Sequence, residues 1–314
     1  MSDTSQIPSV AVTGGKGGTG KSLIATNFAV KFAHEGKRVL LIDCDVENPN
    51  TNILLGKDLQ QLTGEVTPIT IFTPKFDTTK CVQCKICRSG CYRHAILQFP
   101  KQYPSVLEHM CSGCETCRRL CPQDAIYAGS REIGIRYFFP ESGYPNLHLL
   151  IGELHPSEAM SVEIVKNILA YSEALAQKYH YDLLIIDTAP GAHCDVEQSL
   201  VDARVIVCVT EPTPFGEHDL NRILELIRLI GQQASIILNR ADMADYRAPI
   251  FALADRQNSV VIGEIPLDRM IVEDYARGQP FALDPRDFPA KQKFEAIFRK
   301  ITAMIAPITA EGQP

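Results

Sequence analysis

An eight-residue stretch, GKGGTGKS at Gly15 to Ser22, constrains the fold of this chain more than any other feature. Gly15, Gly20, Lys21 and Ser22 satisfy G-x4-G-K-[ST], a loop whose glycines let backbone N–H groups turn inward onto phosphate. Such a loop needs a strand before it and a helix after it, because the helix N-terminus adds its positive end to the anion site. Both are present. Val10–Thr13 is short and apolar, and Ser22 to about Glu35 has helical character, stopping at Gly36, a natural C-cap residue. Lys21 is expected to neutralise the β- and γ-phosphates and the Ser22 hydroxyl to ligate Mg2+, with Lys16, Gly17, Gly18 and Thr19 completing the cradle.

The pattern around the loop predicts an α/β fold: a mostly parallel, doubly wound sheet with helices on both faces. Arg38–Asp43 reads as a buried parallel strand, apolar and ending in an acid. Around Thr63–Lys80 the pattern dissolves, and Pro68, Pro74 and scattered threonines suggest a linker. Past Pro140–Pro145 the alternation resumes. Strands are expected at Asn146–Ile151, Leu183–Asp187, Val205–Thr210 and Ser235–Asn239, with helices at Ser161–Lys178 and near Asp219–Ile230. Since α/β pattern flanks it on both sides, the cysteine-rich segment between reads as an insertion. The expected division is 1–75 and 131–314 for the two parts of the phosphate-loop domain, with 76–130 inserted between them.

Eight of the eleven cysteines form two copies of C-x2-C-x2-C-x3-C. Cys81, Cys84, Cys87 and Cys91 make the first. Cys111, Cys114, Cys117 and Cys121 make the second, and CYRHAI at 91–96 recurs as CPQDAI at 121–126, so the unit is a pseudo-twofold duplication. In a reducing compartment this spacing favours metal ligation over disulfides; zinc more often takes two separated C-x2-C pairs. The runs resemble those of bacterial ferredoxins, in which the fourth cysteine serves the other cluster. That resemblance implies one [4Fe–4S] cluster on Cys81, Cys84, Cys87 and Cys121 and a second on Cys111, Cys114, Cys117 and Cys91. Tyr92 stands where the second run has Pro122, which predicts altered geometry or solvent access at Cys91. So small a unit has little apolar core, and metal should supply much of its folding energy.

GKGGTGKS also resembles the deviant Walker A loop of the MinD/ParA/nitrogenase-iron-protein class of P-loop ATPases, distinguished by a second lysine, here Lys16. The resemblance implies a homodimer with ATP sandwiched between subunits and Lys16 reaching the partner's phosphates. Asp43 and Asp45 in IDCDVENPN then correspond to a residue that helps hold Mg2+ and one that orients or activates the attacking water. Asp187 in IIDTAPG resembles the switch aspartate, with Gly191 near the γ-phosphate. Asn239 and Arg240, with Pro266 and Asp268 in PLD, resemble the segments that grip adenine. Together with the cysteine unit, these features resemble MinD-superfamily ATPases carrying an inserted ferredoxin domain, as do TEPTPFGEHDL (Thr210–Leu220) and GELHPSEAMS (Gly152–Ser161).

The remaining features narrow the class. A net charge of −6 argues against a nucleic-acid-coating surface. No apolar run approaches the ~18 residues that span a bilayer, and residues 1–9 lack a signal-peptide layout, so a cytoplasmic protein without stable membrane insertion is expected. Phe294, Ile297, Phe298, Ile301 and Ile305 form a helical stripe read as packing on the sheet, ahead of Pro307. Cys44 and Cys208 read as packing residues, and Cys194 as a switch-region thiol rather than a cluster ligand. Three functions fit. In the first, an ATP-driven dimer switch is coupled to electron transfer, with a redox client. In the second, the chain is an ATP-dependent carrier or assembly factor for iron–sulfur clusters or another metal cofactor. In the third, it is a positioning ATPase with structural or sensory clusters.

Overall fold

A computed structural model describes residues 7–306, so Pro307 and the first six residues lie outside it. The chain opens with β1 (Ser9–Thr13), α1 (Lys21–His34), β2 (Val39–Cys44) and the one-turn α2 (Thr51–Leu54). A long strand, β3 (Glu65–Phe76), leads into the cysteine-bearing segment. That segment holds the short helices α3 (Ile86–Ser89) and α4 (Thr116–Arg119) and a small ribbon of β4 (Ile96–Leu97) with β5 (Ser105–Val106). A second long strand, β6 (Ile126–Phe139), leads out of it into β7 (Leu147–Leu154), α5 (Ser161–Tyr179), β8 (Leu183–Thr188) and α6 (Cys194–Leu200). The C-terminal part alternates β9 (Val205–Thr210), α7 (Pro214–Leu229), β10 (Ala234–Asn239), α8 (Arg247–Arg256) and β11 (Val260–Ile265), and ends with α9 (Arg269–Ala276) and α10 (Pro289–Ile305).

Nine strands form one sheet in the order β11-β10-β9-β1-β8-β2-β7-β6-β3. From β11 to β7 every pairing is parallel. Parallel strands covered on both faces need apolar side chains on both, which is why β1, β2 and β9 are buried at every position. One face packs against α1 and α10, and the other against α5, α6, α7 and α8. The expected doubly wound core is present. The stripe on α10 buries Phe294, Ile297, Phe298, Ile301 and Ile305 against α1 and the sheet, with the Phe28 and Phe294 rings 5.2 Å apart.

The expected linker at Thr63–Lys80 is wrong. Most of it is β3, the sheet's outermost strand, antiparallel to β6 over its whole length from Glu65↔Phe138 to Phe76↔Ile126. Prolines are tolerated there because an edge strand need not donate every N–H to a ladder. The sequence pattern hid the strand for the same reason: one flank is solvent, so its alternation is diluted by Pro68, Thr70 and Pro74.

The register also decides where the cysteines sit. β6 pairs with β7 only from Gly134↔Leu154 to Phe139↔Leu149. Residues 126–132 run past the carboxyl end of β7, paired with β3 alone, while Ile133 bulges out of that ladder. Seven residues at strand rise make an arm of about 23 Å. It overhangs the sheet edge where β1, β2 and β8 end, which in such folds is the ligand-binding edge. A third, small apolar cluster of Cys87, Ile96, Cys117 and Ile126 lies at its tip, separate from the two main cores.

Truncation of the α10 anchor tests this packing. Phe294 is fully buried, so Phe294→Ala is expected to cost about 3–5 kcal/mol in chemical denaturation, whereas the exposed Met304→Ala should change little.

Candidate functional site

The phosphate loop leaves β1 at Thr13 and enters α1 at Lys21 with a bend at Gly20, whose φ of 97° is left-handed. A Cβ at Gly20 would also come within 2.4 Å of Asn239 Nδ2, and one at Gly15 within 2.1 Å of the Asp219 carbonyl oxygen. Glycine is therefore required at both positions by close approach, and at Gly20 by conformation as well. Gly17 and Gly18 face open space. They border a cleft of about 650 Å3 that is also lined by Lys21, Ser22, Asp45, Pro190, Asn239, Arg240, Pro266 and Asp268.

The cleft thus brings together most of the residues expected to hold nucleotide. Lys16, Gly15 and Thr19 belong to the loop itself; Thr19 is buried and Lys16 half-exposed. Asn239 donates to the Thr19 carbonyl at 2.8 Å and Arg240 to the Gly18 carbonyl at 3.2 Å, so both brace the loop. Asp268 caps α9, accepting from Met270 N at 2.9 Å. The apolar wall was not foreseen beyond Leu267: Ile53, Ile271, Val272 and Tyr275 complete it, and exposed apolar groups in a cleft suit a flat aromatic base. The Ile271–Tyr275 spacing of i,i+4 after PLD was the available signal.

Beneath the loop two carboxylates lie side by side. Asp43 on β2 is the direct neighbour of Asp187 on β8, and both are fully buried. Asp43 accepts from Asp45 N, Asn50 N, Thr51 N and Thr51 Oγ1, at 2.9 to 3.1 Å. It therefore shapes the loop that presents Asp45. Asp187 differs: neither of its oxygens makes a hydrogen bond of good geometry, although the Ser22 hydroxyl is close enough to favour its ionised form. Burial first, and the Asp43 charge second, push its carboxyl well above the usual range, against the pull of Lys21 and Ser22. An orphaned buried carboxylate beside Ser22, with a second acid adjacent, is a donor set that fits Mg2+. Burial, then Asp43, also raises Asp45, to about 6. The end of β8 and the turn after it are tied to the loop through Gly191 N to Gly14 O at 3.0 Å and Thr188 Oγ1 to Thr13 Oγ1 at 2.9 Å.

Residues 10–281 match the CobQ/CobB/MinD/ParA nucleotide binding domain. The chain belongs to this family. An uncharacterized protein of Methanocaldococcus jannaschii is 33% identical over 281 residues, covering 88% of this chain and 92% of the relative. Among solved structures, the cell division ATPase MinD of Pyrococcus furiosus aligns with a TM-score of 0.59 at 16% identity, over 95% of this chain and 99% of that one. MinD of Pyrococcus horikoshii complexed with Mg-ADP aligns at 0.57 and 18%, over 96% and 99%. At those identities the likeness speaks for the fold.

Within this family fold, Lys16 is held by its own chain: its Nζ lies 3.4 Å from Glu211 Oε2, and Glu211, itself buried, also pairs with Arg240. Glu211 was not anticipated, although it sits in the TEPTPF stretch.

The cysteines form two groups. One small cavity is lined by Cys81, Cys84, Cys87 and Cys121, the other by Cys91, Cys111, Cys114 and Cys117. Each therefore collects three cysteines from one run and the fourth from the other. All are free thiols. The duplication is repeated in the backbone: Gln83, Lys85 and His94 are left-handed, as are Gly113, Glu115 and Asp124 at the matching positions. Left-handed non-glycine residues carry strain and cluster at functional sites. Ala95 N donates to Cys91 Sγ and Ala125 N to Cys121 Sγ, both at 3.3 Å. The altered geometry expected from Tyr92 is therefore absent in this contact; the ring is 89% exposed and points away from the fold. Among the described residues no three metal-binding side chains converge as ligands of one ion would. A cubane, in contrast, needs one sulfur at each of four separated corners, which is the donor chemistry that eight thiols in two groups of four can supply.

Cys44 and Cys208 are buried and their thiols raised by that burial, as packing residues should be. Cys194 is exposed at the start of α6 and lines a neighbouring cavity with Asp45, Pro190 and His193. Among the described residues no helix is long and apolar enough to cross a membrane.

Two predictions follow from the carboxylates. Folding raises the Asp187 pKa, so its ionised form opposes folding at neutral pH. Asp187→Asn should therefore raise the Tm of nucleotide-free protein at pH 7 while abolishing Mg2+-dependent nucleotide stabilisation. The role that the resemblance implies for Asp45, activating the attacking water, requires its ionised form. Nucleotide hydrolysis should then fall as pH drops through about 6, and Asp45→Asn should remove hydrolysis by at least 100-fold with nucleotide binding retained.

Proposed function

We propose that this chain is a MinD-like ATPase in which an ATP-driven homodimer switch gates electron transfer through two [4Fe–4S] clusters. The observation that carries the reading is the crossed grouping of the eight cysteines at the tip of an arm that overhangs the nucleotide edge. On this reading residues 76–130 are an inserted ferredoxin-like unit within a P-loop domain, 1–75 and 131–314.

The residues divide the work by position. Backbone N–H groups of Gly17 to Ser22 and the Lys21 ammonium bind the triphosphate, while Asn239, Arg240, Pro266, Leu267 and Tyr275 enclose the base. Ser22 and Asp43 hold Mg2+, as the sequence implied, with the unpartnered Asp187 beside them as a further donor, and Asp43 also shapes the adjoining loop. Asp45 takes a proton from the water that attacks the γ-phosphorus, as the bond to the β–γ bridging oxygen breaks. Lys16 leaves Glu211 and crosses to the second subunit's phosphates. When bound, the clusters supply one-electron carriers; the chain contributes the thiolates, the N–H donors of Ala95 and Ala125, and a position beside the switch loops.

A second reading, an ATP-dependent cluster or metal-cofactor carrier, is favoured by the exposed Cys84 and Cys114 thiols. Oxygen-free reconstitution separates the two. Electron gating requires about eight iron atoms per chain, four per cluster, retained through reduction and reoxidation; a carrier loses them to an apo-acceptor. Cys87→Ser and Cys121→Ser should impair the same cluster, and Cys117→Ser and Cys91→Ser the other. Impairment sorted by run instead would overturn the crossed assignment. Lys21→Ala should lose the response to nucleotide and keep the chromophore.

A further inference from the structure

The HPSE segment after β7 has no role in nucleotide or cysteine binding, yet it joins the two sites. Its base belongs to the nucleotide edge: Leu154 N donates to Val46 O at 2.8 Å, one residue past Asp45. The loop it begins runs to Ser161 and Val162, the first residues of α5, which share a cavity of about 500 Å3 with Asp45, Asn48, Pro190 and His193. The loop is thus bonded to the chain beside Asp45 at its start and shares a cavity with the Asp45 and Pro190 segments at its end.

Between those ends, the segment is fastened to the arm at three points. His155 N donates to Ile133 O at 2.9 Å. His155 Nε2 lies 2.8 Å from Glu132 Oε1. Glu158 forms an ion pair with Arg131, whose side chain is only 9% exposed. The same guanidinium donates from Nη2 to the carbonyl of Cys111 at 3.1 Å, and its Nε is buried without a partner. One planar cation thus holds the backbone of a cluster cysteine on one side and a carboxylate of the nucleotide-edge loop on the other. Arginine suits this role, because its rigid fork transmits a displacement that a flexible ammonium would absorb.

We infer that Arg131 and Glu158 are a coupling pair: movement of the 155–161 loop on nucleotide binding is transmitted through the guanidinium to Cys111 and tunes the half-site of Cys91, Cys111, Cys114 and Cys117. The inference rests on the cluster reading above. Its physical lever is the balance of charge and hydrogen bonding around the ligand cysteine, which sets the potential of a bound cluster. Withdrawing Glu158 leaves the guanidinium uncompensated and favours the reduced, more negative state at that site alone.

The test compares wild type, Arg131→Gln and Glu158→Gln, reconstituted without oxygen, with and without Mg2+ and a non-hydrolysable ATP analogue. Midpoint potentials of the two clusters are followed by electron paramagnetic resonance, and amide exchange at residues 111–114 is followed on both cluster-loaded and cluster-free protein. In wild type, nucleotide should shift the potential of the Cys111 cluster and change exchange at 111–114. In both variants these responses should be lost, with iron content, nucleotide affinity and the other cluster's potential unchanged. Responses of equal size in wild type and both variants overturn the coupling pair while leaving the electron-gate reading intact. A wild type with full iron content but no nucleotide response overturns both. Protein that takes up no iron overturns the cluster reading, and the exchange measurement then decides whether the pair transmits motion.

Discussion

Two carboxylates that cannot both be comfortable organise the nucleotide edge. Asp43 and Asp187 end adjacent parallel strands, so the register that closes the sheet also forces their side chains together inside the protein. Their fates differ because only one has partners. Asp43 draws four hydrogen bonds from the loop after β2 and thereby fixes where Asp45 stands. Asp187 makes no hydrogen bond of good geometry, and its burial is tolerable only with a cation or a proton nearby. The phosphate loop supplies Lys21 and the Ser22 hydroxyl at the same place. A site that is destabilising alone and neutralised by Mg2+ and nucleotide makes ligand binding a large part of the local energy.

The second organising constraint is the overhang of β3 and β6. A two-stranded arm is marginal alone, and this one is supported at its root by β7 and along its flank by the HPSE segment. At its tip the apolar cluster is small and made partly of cysteines. The arm therefore has stability at the bottom from the sheet and, on the proposed reading, at the top from metal. That division places the cysteine unit over the nucleotide edge without adding it to the main core.

Much of the site was legible because its chemistry needs particular residues in particular order. The glycine loop, both lysines, Asp43, Asp45, Asp187 and the cleft-lining Asn239 and Pro266 were all found by spacing or resemblance, and all fall on one edge of the sheet. Glu211 and Arg131 were not, since an acid in a TEPTPF stretch or an arginine on a strand has no local signature. Each acquires meaning from a partner distant in sequence: Lys16 for Glu211, and Glu158 and Cys111 for Arg131. The apolar wall from Ile53 and Tyr275 was hidden for a similar reason, because exposed hydrophobic residues are common and only their convergence on one cleft is informative.

Local periodicity and motif spacing determined the α/β class, the position of the phosphate loop and the existence of a duplicated cysteine unit, because each depends on neighbours within a few residues. The tertiary structure alone decided that Thr63–Lys80 becomes an edge strand, that Lys16 rests on Glu211, and that the cysteine unit is carried over the nucleotide edge. Those outcomes depend on strand register and on pairings across tens to hundreds of residues. A one-residue slip in the β6–β7 ladder would turn every side chain of the arm to the other face, and no local pattern encodes that choice.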